Sequence, residues 1–369
     1  MNEFVLFQQE ATQNQYIFNF ILMNVIFVFS YPRKNNRKTL VFSWLLMLLF
    51  CLFAYWDTDY FSFREGFYTS LRDFRDPLYY YLSCISFNSY TLFRFYIWGG
   101  ALLLFVKTVK RLHININMCA FVFSIFFLLI FSYARVSLGM AMYFYGLSFL
   151  LVPNKNRTIA SYIWGIIFIS CSYFGHRSML IPILFTPLIL LKLNKYTIAI
   201  LLVIGFVIGR SAGEFLSSIA TNGVAVGVPE LSGASDALEA YAGKDAVVVY
   251  NWKYTLTQNL KNIGLIISYV YLIWKCFVLK NQKSIPEWCQ RLLNVCTGIF
   301  VVAISFLLVD GLGAGILGYR LLYMVGIPVV LIISYLYCNE LCKRRTIFMI
   351  LLSMFLFSEG FILGKILSF

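Results

Sequence analysis

Charge is scarce in this chain, and negative charge is scarcer still. Only 12% of its 369 residues are charged while 60% are hydrophobic, and the mean hydropathy is +0.78. An ordinary soluble domain carries about 25% charge. That deficit excludes a water-soluble globular protein and leaves a polytopic membrane protein. Histidine is almost absent, with two residues, and the nine cysteines form no CxxC pair and no cluster with histidine. A structural metal and a disulfide framework are therefore not expected. Most cysteines fall inside apolar runs or beside basic loops, and Cys84 and Cys171 are the only two expected near the outer face. The phosphate loop GxxxxGK[ST] and the dinucleotide-binding glycine pattern are missing too, which argues against a nucleotide-driven pump. No internal repeat and no low-complexity tract is visible.

What the chain does have is apolar runs of membrane-spanning length. A helix needs about 20 apolar residues to cross the hydrocarbon core. By that measure spans fall near residues 16–30, 39–56, 89–106, 115–132, 135–152, 158–172, 177–191, 196–209, 258–274, 293–309, 318–337 and 346–364. The expectation is an all-α integral-membrane domain over 1–369, with about 12 transmembrane helices. Tyr16 to Ser30 reads as the first span rather than a cleaved signal, because no small-residue cleavage site follows it.

The net charge of +14 is dispersed in short loops rather than gathered on one face, which fits no nucleic-acid partner. Alternate loops carry Arg33, Lys34, Arg37 and Lys38, then Lys107, Lys110 and Arg111, then Lys155 and Arg157, then Lys192 and Lys195. The series continues with Lys275, Lys280, Lys283 and Arg291 and ends with Lys343, Arg344 and Arg345. The positive-inside rule makes those loops cytoplasmic and puts both termini on the outer side of the membrane. Two outer segments are longer than turns. Residues 57–88 alternate aromatics with charges and suit a partly amphipathic helix at the interface. Residues 210–254 form the largest polar piece, with a short helix expected from Ser235 to Tyr241, and loops of this length are commonly functional, here as a lid over substrate.

Several arginines lie at the expected outer ends of helices, against the usual bias: Arg94, Arg135, Arg177, Arg210 and Arg320. A charge near the membrane plane is costly and needs a reason. A guanidinium fork stays charged and can grip phosphate through two parallel hydrogen bonds. Arg94 and Arg210 are also placed to snorkel to headgroups. Arg135 sits in YARVSLGMAM, where one apolar run passes into the next almost without a loop, and Arg320 follows the glycine-rich DGLGAGILGYR. His176 stands between two spans in CSYFGHRSML, beside Arg177. An unperturbed histidine, with a pKa near about 6.5, can give or take a proton at neutral pH. His113, beside Lys110 and Arg111, reads as a loop residue.

These residues carry a resemblance to the EpsG/Wzy family of polysaccharide repeat-unit polymerases. It rests on Asp57-Thr58-Asp59-Tyr60, on Asp76-Pro77-Leu78-Tyr79, on RVSLGMA from Arg135 to Ala141, on His176-Arg177-Ser178, and on Arg320 with Tyr323 in RLLYM. Val136 stands where the family usually has a glutamine, and Asp76 where it has a glutamate. The resemblance implies a metal-independent glycosyltransferase without a cofactor, in a bacterial inner membrane with its termini and its reaction on the periplasmic side. Its donor and acceptor would be undecaprenyl-pyrophosphate-linked oligosaccharides, and a chain-length regulator would be its partner. In that reading Arg135 and Arg320 hold the pyrophosphate, and His176 or Asp59 takes the acceptor's proton. Tyr60, Arg94, Arg177, Arg210, Tyr319 and Tyr323 contact substrate. A flippase for the same lipid-linked unit, a membrane ligase that moves finished polymer, and a membrane acyltransferase remain as alternatives.

Overall fold

A computed structural model describes residues 13–31, 37–53, 64, 66–68, 76–130, 134–152, 158–191, 196, 198–207, 211, 262–276, 285–307, 312–341 and 343–366. Every regular element among them is a helix: α1 (Gln13–Ser30), α2 (Arg37–Phe53), α3 (Pro77–Cys84), α4 (Tyr90–Arg111), α5 (Ile116–Ile130), α6 (Ala134–Leu151) and α7 (Ile159–Gly175). They continue with α8 (Arg177–Leu190), α9 (Ile198–Val207), α10 (Asn262–Cys276), α11 (Glu287–Leu307), α12 (Leu312–Met324), α13 (Gly326–Cys338) and α14 (Arg344–Ile366). Each expected span overlaps helical residues among those described, the seventh and eleventh on broken or paired helices. Three stretches are both long and apolar enough to cross a membrane by length and composition: Tyr90–Arg111, Glu287–Leu307 and Gly318–Cys338. The last runs through α12 and α13, which meet at a turn at Val325.

Local chemistry sets the helix ends. Ser89 caps α4 by accepting from the Leu92 amide, and Thr158 caps α7 by accepting from the Ser161 amide. Lys110 and Arg111 fill the last turn of α4, where cations favour the exposed carbonyls. The seventh expected span is not one regular helix. Pro182 and Pro187 each remove a backbone donor, so α8 is a 3₁₀ turn (Arg177–Met179), a short α segment (Leu180–Phe185) and a second 3₁₀ stretch (Thr186–Leu190).

Burial separates the helices into an inner and an outer set. The spanning windows of α11 and α12–α13 are 78% and 83% buried by the protein itself. On α7, by contrast, Ile159, Ile163, Trp164, Ile166 and Ile167 are exposed, as a lipid-facing stripe requires. Aromatic stacking ties the first helices to the last: Phe27 of α1 lies 4.2 Å from Phe355 of α14 and 5.4 Å from Phe121 of α5, ring centre to ring centre.

A glycine seam joins α6 to α7. A Cβ on Gly146 would meet the Gly165 carbonyl and the Ile169 amide nitrogen at 2.8 Å, and one on Gly139 would meet the Ser172 carbonyl at 3.1 Å. Without hydrocarbon–water contrast between helices, small residues and close backbone approach are the main source of membrane-helix affinity. Both contacts obey one antiparallel register, in which each step up α6 is a step down α7.

Candidate functional site

That register fixes the level of two sequence-singled residues. Gly146 faces Gly165 and Ile169, and Gly139 faces Ser172 and the His176 amide at 3.5 Å; the Arg135 backbone is then about one helical turn from the level of His176, at the end where α7 stops. The Arg135 backbone belongs to the first turn of α6, and His176 is the residue on which α7 ends. Gly175 completes the junction, since a Cβ there would sit 3.0 Å from the Gly139 Cα and 3.6 Å from Leu78. The chain turns sharply because His176 leaves the helix in extended conformation, with φ −167° and ψ 131°.

His176 is held through its backbone and through its ring Nδ1. Its amide donates to the Ser172 carbonyl at 3.2 Å, and its own carbonyl accepts from the Met179 amide at 2.9 Å. Its ring, with the residue 9% exposed, receives the Ser178 amide at Nδ1 over 3.0 Å, and the Ser178 hydroxyl lies 2.7 Å from the same nitrogen. Arg177, the next residue, is exposed.

A residue not singled out for the site from sequence joins this end. Asp76 is only 5% exposed and precedes α3 at its N-cap. Two residues later Leu78 packs at the Gly139–Gly175 crossing, so the start of α3 lies at this end of the bundle. A carboxylate out of water requires compensating donors or a counter-charge. The signal was in the sequence, because Asp76-Pro77-Leu78-Tyr79 is one of the stretches that carry the resemblance.

The other arginines reach the same end of the bundle along separate helices. Helix α4 runs parallel to α6, with Gly100 against Leu138 at 3.3 Å from a Cβ and the Arg111 guanidinium 3.5 Å from the centre of the Phe149 ring. In that register Arg135 is level with Ile97, and Arg94 sits about one turn nearer the end. Arg94 is 2% exposed, and its Nε and Nη2 both donate to the Cys51 carbonyl in the last turn of α2, where carbonyls lack helical partners. Tyr143 of α6 donates to the Pro182 carbonyl at 2.9 Å and lies 3.1 Å from the Thr186 hydroxyl, fixing the broken α8 against α6. Helix α8 descends along α11, with Phe185 and Leu188 against Gly298 and the Leu191 carbonyl accepting from Asn294. Traced back along this pairing, Arg177 comes level with the last turn of α11. Helix α12 meets that turn as well, since a Cβ on Gly318 would lie 3.0 Å from the Ala303 carbonyl and 2.9 Å from Leu307. Arg320 follows two residues later and is half-buried; Tyr319 is also half-buried, and Tyr323 is buried.

Arg94, Arg135, His176, Arg177 and Arg320 are thus brought to one end of the bundle, together with Asp76. Asp59, Tyr60, Arg210 and the expected Ser235–Tyr241 helix lie outside the described residues, as does the Arg135 side chain. Cys84 and Cys171 are free thiols.

Apolar helices of this kind point to an integral-membrane protein, and the polar and cationic residues at one end of the bundle are its candidate site. The chain belongs to the EpsG family, whose family model matches residues 38–366. No curated protein and no solved structure matches it.

Proposed function

We propose that the protein polymerises oligosaccharide repeat units carried on undecaprenyl pyrophosphate into a surface polysaccharide, at the periplasmic face of the inner membrane. Membership of the EpsG family suggests a polysaccharide polymerase-type activity on lipid-linked substrates in general. The observation that carries the finer reading is the α6–α7 register, which brings the Arg135 backbone to within about one helical turn of His176, at the end of the bundle where the buried Asp76 begins α3.

The chemistry asks for little else. A hydroxyl on the acceptor unit attacks the anomeric carbon of the donor chain and loses its proton. The bond from that carbon to the pyrophosphate oxygen breaks, and its electron pair leaves with undecaprenyl pyrophosphate. Fixed cations stabilise that departing charge, and guanidinium forks at Arg135 and Arg320 suit it in charge and shape. Arg177 and Arg210 supply further positive charge near the headgroup. The proton passes to a carboxylate or to the imidazole, with Asp59 and His176 as the sequence-derived candidates and Asp76 added by its position. In this reading the chain crosses the membrane about twelve times with both termini outside, and a chain-length regulator works beside it.

The test is reconstitution of the full-length protein in vesicles with purified lipid-linked repeat units as sole substrate. Polymerisation without added nucleotide, abolished by Arg135→Ala, supports the reading. Units that change leaflet but stay monomeric would favour the flippase. Transfer of finished chains to a different lipid acceptor, without chain growth, would favour the ligase.

A further inference from the structure

We infer that Asn262 is a substrate-binding residue whose side-chain amide pairs with the sugar next to the pyrophosphate, giving one hydrogen bond and accepting another. The identity of that ligand rests on the polymerase reading; the placement of the amide does not. Along α10, Asn262, Leu265, Tyr269, Leu272 and Cys276 recur at three- and four-residue spacing and are all buried, while Ile263, Ile267 and Trp274 are exposed. Asn262, 5% exposed, therefore faces the bundle and not the lipid. The buried stripe lies on α11: the Tyr269 ring centre is 4.8 Å from that of Phe300, and the Tyr269 hydroxyl is 3.3 Å from the Thr297 hydroxyl. About two turns further along α10, Cys276 is close enough to Cys289 for the two thiols to interact electrostatically, so the two helices run antiparallel. About two turns in the other direction, the Asn262 backbone comes within about one turn of Leu307, on which α11 ends. Helix α12 packs on that same turn through Gly318, two residues before Arg320.

The Nδ2 and Oδ1 atoms of Asn262 are both out of solvent, and neither has a hydrogen-bond partner among the described residues. Buried polar groups are nearly always paired, and one that is not needs a reason. Other buried polar side chains on these two helices have partners: Ser268 donates to the Gly264 carbonyl and Ser305 to the Val301 carbonyl, each at 2.8 Å. A ligand that satisfies Asn262 must accept from Nδ2 and donate to Oδ1. A phosphate oxygen only accepts and an ammonium only donates, so either would leave one atom of the amide stranded. Sugar hydroxyls and N-acyl groups do both. In the polymerase reading the pyrophosphate sits at Arg320, so the sugar that comes within reach of Asn262 is the one joined to it. Because the amide is out of water, a unit without the matching group leaves it unpaired, which makes the contact selective as well as binding.

The test melts full-length, detergent-purified protein with and without two lipids: undecaprenyl pyrophosphate carrying the repeat unit, and undecaprenyl pyrophosphate alone. The sugar-bearing lipid is expected to raise the unfolding temperature of wild type more than the bare one does. Asn262→Leu replaces the amide by an apolar group of similar size. Without lipid it is expected to melt at or above the wild-type temperature, because an unpaired amide is removed. With lipid it is expected to lose the extra stabilisation that the sugar brings. In vesicles its KM for the repeat unit should rise about tenfold while kcat stays within about twofold. Asn262→Ala takes its place should the leucine protein fail to fold. Asn19→Leu is the control, since Asn19 is as deeply buried and as unpaired but lies on α1, which packs against α2, α5 and α14. It should leave the sugar-dependent shift intact. Three results overturn the inference. One is a lower unfolding temperature without lipid in both Asn262 variants, the mark of an amide held by the protein or by an internal water. The others are a full sugar-dependent shift in those variants, and equal shifts by the two lipids in wild type. Wild type that gains its sugar-dependent shift through Asn262 but lengthens no chains would end the polymerase reading and keep Asn262 as a binding residue.

Discussion

Adding one methyl group to the glycine seam separates its two ends. At Gly146 a new Cβ would lie 2.8 Å from the Gly165 carbonyl and the Ile169 amide nitrogen, where ordinary contact begins at 3.4 Å. Helices α6 and α7 must part there by about 0.6 Å, because the obstructing atoms are backbone and cannot swing aside. At Gly139 the corresponding overlap, with the Ser172 carbonyl at 3.1 Å, is about 0.3 Å, and the next atom is a side-chain carbon, Met179 Cγ, at 3.2 Å. Overpacking costs typically about 1–3 kcal/mol, and replacing glycine by alanine within a helix returns roughly 1 kcal/mol. Gly146→Ala is therefore expected to destabilise the protein by about 1–2 kcal/mol, and Gly139→Ala by about 1 kcal/mol or less. Their functional order should be reversed. Ser172 accepts from the His176 amide, so the smaller shift at Gly139 reaches the site directly. The assay pairs thermal unfolding of detergent-purified protein with polymer length in complemented cells. If Gly146→Val, with two more carbons than the alanine, melts like wild type, the helices do not approach as described and the register that brings Arg135 near His176 loses its support.

Three further outcomes follow from single contacts. Arg94→Met keeps the side-chain volume but strips both donors from the Cys51 carbonyl; the loss is expected to be about 1.5–3 kcal/mol, read as a lower unfolding temperature, and an unchanged one would mean the carbonyl is satisfied otherwise. Tyr143→Phe leaves the Pro182 carbonyl and the Thr186 hydroxyl without their partner from α6 and should cost about 1 kcal/mol, measured in the same way. Asp76→Asn preserves shape and removes charge, so it should reduce chain growth by about tenfold or more while membrane levels stay normal; growth at wild-type rate would remove Asp76 from the site.

Much of the architecture was legible because the bilayer imposes it. Long apolar runs such as Tyr90–Arg111 must be helical to satisfy their backbone, and basic residues such as Lys110 and Arg111 mark where they stop. The break in α8 was in principle visible in Pro182 and Pro187, but hydropathy averages over 177–191 and sees one span. Pairing between helices was not legible. Gly139, Gly146, Gly165 and Gly175 look like ordinary small residues until α7 is laid against α6, because a close approach has meaning only with its partner named. The site shows the same division. His176 and Arg135 stand out as polar groups between apolar runs, whereas Asp76 passes as one more charge in a polar segment until its burial is seen. Arg94 stood out for its charge, and the structure adds the α2 carbonyl that holds it.

The most direct test is the polysaccharide profile of the source organism with this gene deleted and then complemented. Deletion is expected to collapse a ladder of polymer lengths to a single attached repeat unit. Wild type should restore the ladder, and Arg135→Lys, which keeps the charge but not the fork, should fall short by on the order of 10²-fold. A deletion strain that keeps its full ladder, or that loses even the single-unit band, would contradict the polymerase account.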